Sequence, residues 1–383
     1  MPKKNNYPKI YLTIDNCFAI KRWIRPKDWM KVVKDIGNIA CIEASTDNEI
    51  DPLFNTPEFR DDWIKEVKEH EKKYGLKVVS LYSGYVTYRT SGLTNWAKST
   101  RETMKNNYFK KVVDIASKLD AQVGNILNAF SDPVLDDPDL FHEAEGFLEE
   151  NLAEMTEYAN SKNVAFGYEQ MYTPNQGFWT IDRCNNWLKK VYKRAKQPMY
   201  ITIDTAHQVG QNQFLKPTDE QLLKMIDTGD TTGFRLSGEI KNEIRSKNIN
   251  FSEAKELIEK YYYMFSKPED SDVFEWFSKL GCYSPLVHLQ QTDGTYSGHK
   301  PFTEQFNKTG IIDPKKVFRS IAESYDREAE KGMPPKVKEI YLAFELFFGI
   351  TDSPEDIIDK MRQSVEYWRK YIPQDGMNLG ELI

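Results

Sequence analysis

Short apolar runs alternate with amphipathic stretches along nearly the whole chain. IYLTID (Ile10–Asp15) reads as a strand, and Pro26, Trp29, Val32, Val33 and Ile36 then recur at helical spacing until Gly37. IACIEAS (Ile39–Ser45) is the second run, followed by a helix that Pro57 opens and Gly75 closes after about Tyr74. LKVVSLYSG predicts the third strand, a helix from about Thr94 to Leu119 follows, and AQVGNILNAF supplies the fourth. The acidic turn DDPDLF starts a helix that carries Phe147, Leu148, Leu152, Met155 and Ala159 at helical spacing. VAFGYEQ, MYITIDT, SPLVHLQ and KEIYLAFELFF complete the strands, with helices at about Thr180–Arg194, Val273–Leu280, Pro314–Lys331 and Pro354–Tyr371. One stretch breaks the rhythm. Gly210–Phe265, between the sixth and seventh strands, is polar and helix-rich and ends in Tyr261-Tyr262-Tyr263.

Strands that read as continuous apolar runs, each followed by a helix, are buried on both faces, which predicts an α/β protein built as a closed (β/α)8 TIM barrel. An open doubly wound sheet has the same alternation. The polar residues favour the barrel: Asp15, Glu43, Glu169, Asp204, His288 and Glu345 all fall at or near carboxyl ends of strands, where barrels gather their catalytic groups. No repeat, low-complexity segment or linker marks a second domain, so residues 1–383 are expected to form a single barrel domain. The 210–265 insertion is expected to overhang the barrel mouth or to form a contact in a homo-oligomer.

Composition removes several alternatives. Acidic and basic residues are interspersed, with a net charge of −6 and a pI near 5.6, so no basic tract advertises nucleic acid or an anionic membrane. MPKKNNYPKIYL has no apolar run suited to a signal peptide, and no window approaches a membrane span; a cytoplasmic protein is expected. Cys17, Cys41, Cys184 and Cys282 are widely spaced without a Cys-x-x-Cys pair and read as reduced thiols. Many of the aromatic residues follow strands, where they could wall a small pocket.

The chemistry centres on MYITIDTAH (Met199–His207), in which a strand runs into Asp204 and His207 follows three residues later. A single such aspartate would equally well cap the next helix. Repetition argues otherwise, because three further strands end at Glu169, His288 and Glu345. Two glutamates, an aspartate and a histidine make an oxygen-rich set suited to Mn²⁺, Mg²⁺ or Co²⁺ with open positions, rather than to closed structural zinc. Such a metal can chelate adjacent hydroxyl and carbonyl oxygens of a sugar, while a neighbouring carboxylate removes the acidified C–H proton to give an enediolate. Glutamates on two nonadjacent strands can serve the two faces of that intermediate.

The order Glu, Asp-x-x-His, His, Glu at the ends of strands five to eight resembles the xylose isomerase-like barrel superfamily, and most closely its D-tagatose 3-epimerase and D-allulose 3-epimerase branch. The resemblance implies a metal-dependent sugar or sugar phosphate isomerase or epimerase. One divalent ion, Mn²⁺ foremost, would be held by Glu169, Asp204, His288 and Glu345. Glu169 and Glu345 would exchange protons with substrate, and His207 would hold a substrate oxygen. A metal-dependent lyase of the same superfamily, inosose dehydratase-like or the catalytic subunit of a C-glycoside-cleaving enzyme, would use the same groups. Endonuclease IV shares the Asp-x-x-His, but its zinc cluster needs more histidines than this chain's five can supply. A non-catalytic barrel would be favoured by loss of a ligand, and all four are present.

The chain also departs from the epimerase pattern. Asn175 stands where those enzymes place a second glutamate, and Gly294 where they place an arginine. Gln290, Asp293, His299 and Lys300 are the natural substitutes for contacts to the sugar, and Phe18, Trp23, Tyr82, Tyr85, Tyr88, Trp96 and Trp179 for its apolar wall. Lys21, Arg22, Arg25 and Arg89 could hold a phosphate or carboxylate. Asp15 and Glu43 are expected to hydrogen-bond within the barrel end, and His70 and His142, on helices, are given no chemistry.

Overall fold

The computed structural model describes residues 7–83, 91–126 and 129–383. Eight parallel strands form the wall: β1 (Lys9–Asp15), β2 (Cys41–Ser45), β3 (Lys77–Tyr82), β4 (Gln122–Asn125), β5 (Gly167–Glu169), β6 (Tyr200–Asp204), β7 (Leu286–Leu289) and β8 (Glu339–Phe344). Their order is β4-β3-β2-β1-β8-β7-β6-β5. The two ends of that series meet. Val123 N–H donates to Ala165 O (2.9 Å), Ile126 N–H to Gly167 O (3.2 Å) and Glu169 N–H to Ile126 O (3.1 Å), which closes the barrel. Two glycines make the closure close-fitting: a Cβ on Gly167 would lie 2.4 Å from the Gly124 carbonyl oxygen. An unforeseen short strand, β9 (Met377–Asn378), pairs antiparallel with the start of β1.

Helices cover the outside, and the sequence shows why they begin where they do. Proline opens the helices Pro26–Ile36, Pro57–Tyr74, Pro138–Ser161, Pro314–Asp326 and Pro354–Arg369, its fixed φ and absent N–H costing nothing in a first turn. Pro26–Ile36 buries Trp29, Met30, Val33 and Ile36 against the wall. Pro314–Asp326 stops short of the expected Lys331 because the Lys336 ammonium takes the carbonyls of Ser324, Tyr325 and Arg327. The helix expected from Thr94 starts at Lys98 and is interrupted by a π turn, Met104–Phe109. That turn aims the buried Tyr108 hydroxyl at Thr46 Oγ1 (3.1 Å) and Ser83 Oγ (2.8 Å), tying the helix to the ends of β2 and β3.

The 210–265 segment folds into helices Asp219–Thr228, Gly238–Ser246 and Phe251–Lys260. It packs on the connection after β4, at the carboxyl end of the barrel. Tyr263 donates to Leu135 O (2.9 Å), Tyr261 to Asp136 O (3.1 Å), and the Tyr263 ring stacks on Phe141 at 3.6 Å. All four cysteines are free and buried. Among the described residues no helix is long and apolar enough to cross a membrane.

Glu49, in the turn after β2, is a half-buried carboxyl group whose Oε2 accepts from the indoles of Trp29 and Trp63, both at 3.1 Å. Burial pushes it up to about 7, against the two indoles, whereas the free side chain ionises near 4.5. A group raised on folding stabilises fully below its unfolded value and loses that contribution as pH rises through its folded one. Stability should therefore fall by about 3 kcal/mol across this window. Glu49→Gln retains an acceptor for the indoles and should flatten the fall in a pH series of urea unfolding curves. Superimposable profiles for the two proteins would count against it.

Candidate metal centre

Each of β5 to β8 delivers one polar side chain at its carboxyl end. Parallel register sets Asp204 beside His288, and Glu345, just past β8, is held by its N–H to Leu289 O (3.1 Å). One donor atom from each of Glu169, Asp204, His288 and Glu345 lies within 4.8 Å of the other three, and all four residues are buried. The His288 Nδ1 is 2.8 Å from Glu169 Oε1 and 3.3 Å from Glu345 Oε2. Asp204 is oriented from three sides: Oδ1 accepts from the N–H groups of Ala206 (2.7 Å) and His207 (3.0 Å), and Gln290 Nε2 reaches both oxygens at 2.9 Å.

Burial sets carboxyl groups and imidazoles against one another in this cluster. Burial would drive the His288 imidazole down, but Glu345, Glu169 and Glu43 together hold it well above its ordinary value. The glutamates diverge. Burial disfavours ionisation of both, yet His288, His299 and His207 outweigh it at Glu345 and hold that carboxyl well below the usual range. At Glu169 burial prevails over His288 and His207, and the carboxyl is raised. Glu345 Oε2 is buried with no hydrogen-bond partner, its nearest polar neighbours being the imidazoles of His288 at 3.3 Å and His299 at 3.4 Å. An oxygen so placed, with two further carboxylates and one nitrogen, fits a hard divalent cation.

Two more histidines border the centre. His207 Nδ1 lies 2.9 Å from Gln170 O and donates to it, which leaves Nε2 facing Asp204 Oδ2 at 3.9 Å. His299 adopts a left-handed backbone (φ +46°), rare for a residue with a Cβ. Its N–H donates to Gln290 Oε1 (2.6 Å) and its ring stacks on Phe347 at 4.0 Å. Gln290 thus connects Asp204 to the backbone of His299. The Tyr82 ring stands edge-on to His288 at 6.3 Å.

Other residues singled out in the sequence go elsewhere. Asp293 is exposed and caps its own turn, accepting from Thr295 N–H (2.9 Å) and Oγ1 (2.6 Å). Trp179 is fully buried, edge-on to Phe214 of the inserted segment, and serves packing rather than the mouth. Arg22 donates to the carbonyls of Gly349 (2.6 Å) and Asp352 (3.1 Å), and Arg25 pairs with Glu66, so both cations are taken up by structure. Lys300 lies over the Phe306 ring, Phe18 is buried against Trp23, and Trp96 is exposed. Tyr85, Tyr88 and Arg89 lie outside the described residues. Glu43 proves to be more than a barrel-end residue: its Oε2 is 2.9 Å from His288 Nε2. Asp15, fully buried beside it, is held well above the usual carboxylate range by burial and by the charges of Glu43 and Glu345.

Residues 30–326 match the family described as xylose isomerase-like TIM barrel. The chain belongs to that family. A D-erythrulose 1-phosphate 3-epimerase of Brucella abortus is 26% identical over 115 residues, a match covering 30% of this chain and only 34% of that protein. A candidate xylose isomerase of Rhodospirillum rubrum superimposes with a TM-score of 0.68 at 15% identity, over 94% of this chain and 99% of that one. D-Psicose 3-epimerase of Clostridium cellulolyticum, solved with D-tagatose, superimposes with a TM-score of 0.55 at 11% identity, over 94% and 98%. At such identities the two structures establish the shared fold.

Proposed function

We propose that this member of the xylose isomerase-like family is a divalent-metal-dependent sugar or sugar phosphate isomerase or epimerase, and that the whole chain, insertion included, works as one barrel. The observation that carries the reading is the convergence of four ligand-type atoms at four successive strand ends, with the two glutamates coming from nonadjacent strands. The likeness to a named 3-epimerase of a ketose phosphate agrees with it. Glu169, Asp204, His288 and Glu345 would hold the ion, Mn²⁺ first and Mg²⁺ or Co²⁺ next.

The ion supplies polarisation of the substrate carbonyl and so acidifies the neighbouring C–H. The chain's own groups move the proton. A sugar lying between β5 and β8 presents one face to each glutamate, so one can remove the proton and the other return it. His207 would hold a substrate oxygen, Gln290 keeps Asp204 aimed, and His299 and Tyr82 would border the sugar.

The test is a screen of ketoses, aldoses and their phosphates with Mn²⁺-loaded protein in D₂O, followed by NMR. Solvent deuterium should enter at the carbon that is inverted or isomerised. Turnover with no label would indicate a hydride shift and overturn the proton-transfer reading, and release of a leaving group without inversion would assign a lyase instead.

A further inference from the structure

All four donors of the centre come from β5 to β8, yet the ring supplying its nitrogen is gripped from the other half of the barrel. On β2, Glu43 places Oε2 2.9 Å from His288 Nε2. Its second oxygen, Oε1, accepts from Ser80 Oγ on β3, also at 2.9 Å. Glu43, Ser80 and His288 are each 0% exposed, so water does not compete for these bonds. The neighbouring strand leaves room for the pair: a Cβ on Gly124 would lie 2.5 Å from Ser80 Oγ and 3.4 Å from Glu43 Oε1.

A carboxylate oxygen can only accept, so Glu43 holds a hydrogen on Nε2. Nδ1 faces the proposed ligands Glu169 and Glu345, so it is the nitrogen that would give up its hydrogen to an ion and offer its lone pair. Resting on the metal-dependent reading above, we infer that Glu43, held by Ser80, is the positioning residue that fixes His288 as a metal ligand through Nδ1. It sets the ring's angle and its tautomer, and the negative charge behind the ring strengthens Nδ1 as a donor. A glutamine at this position can turn its amide N–H toward Nε2, which would favour the opposite tautomer and put a hydrogen where the ligand lone pair belongs.

The experiment is a Mn²⁺ titration of the full-length protein, with free ion followed by EPR, alongside Glu43→Gln and Ser80→Ala. The affinity of Glu43→Gln should fall by about 10- to 100-fold, the range for lost partners of this kind, and that of Ser80→Ala by less. Circular dichroism checks that each variant is folded. A second measurement needs no variant: native protein with ¹⁵N-labelled histidine, loaded with diamagnetic Mg²⁺, should show His288 protonated at Nε2 and not at Nδ1. Undiminished affinity in folded Glu43→Gln, or an Nε2 without its hydrogen, overturns the role of Glu43 and leaves the centre standing. A native protein that takes up no Mn²⁺ overturns the centre and this inference together. If Glu43→Gln fails to fold, Ser80→Ala and the native spectrum decide.

Discussion

Glutamine in place of Glu169 or Glu345 is expected to lower turnover by roughly 10²–10⁴-fold, the loss typical when a positioned general acid or base is removed. The substitution keeps the size of the side chain and one of its oxygens but removes the capacity to take up and return a proton. Both residues are also proposed ligands, so ion content must be measured on the same samples. A variant that retains Mn²⁺ and loses turnover isolates the base; one that loses both reports the ligand. The two variants should also differ from each other in single-direction exchange. With one glutamate gone, the remaining one can still remove a proton from its own face, so substrate should trade hydrogen with solvent without net inversion. Native turnover in both variants, at full ion occupancy, would show that other groups move the proton.

The largest structural effect is expected from Gly167→Ala. The added methyl would stand 2.4 Å from the carbonyl oxygen and 3.2 Å from the carbonyl carbon of Gly124, a backbone neighbour with no rotamer to change. β4 and β5 must separate, and the bonds from Ile126 to Gly167 and from Glu169 to Ile126 lengthen with them. A loss of about 3 kcal/mol is expected, the upper end of ordinary overpacking. Urea unfolding measures it. Gly146→Ala is the control: on the exposed side of the helix Pro138–Ser161, its Cβ would meet nothing within 4 Å, and alanine should add up to about 1 kcal/mol. Equal stability of the two variants would mean that the closure of the barrel tolerates a side chain after all.

The alternation of strands and helices was legible because burial on both faces leaves a continuous apolar run, and proline marks the first turn of five helices. Glu169, Asp204, His288 and Glu345 stood out because each ends such a run. Glu43 also lies at a strand end, but its partner is far away in sequence, and nothing in CIEAS says that the side chain crosses the barrel to a histidine on β7. Gln170 and Gln208 were invisible for the same reason; one gives its carbonyl to His207 and the other braces it. Asp293 misled because a turn aspartate facing solvent and one facing a pocket share one local sequence. Trp179 misled because the loop after β5 is buried beneath the inserted segment, and residue type alone does not report what will lie over it. The π turn left no trace in periodicity, and the partners of its Tyr108 hydroxyl, Thr46 and Ser83, lie far away in sequence.

The split between donor strands and bracing strands also orders events as the chain leaves the ribosome. Residues of β1 to β4 emerge before those of β5 to β8 and include Glu43 and Ser80 but none of the four proposed donors; Glu345, just past β8, follows the other three. A nascent chain could therefore not complete the proposed cage before β8 has emerged, and an ion taken up there would meet all eight strands, so that geometry as well as raw affinity would bear on which metal is kept.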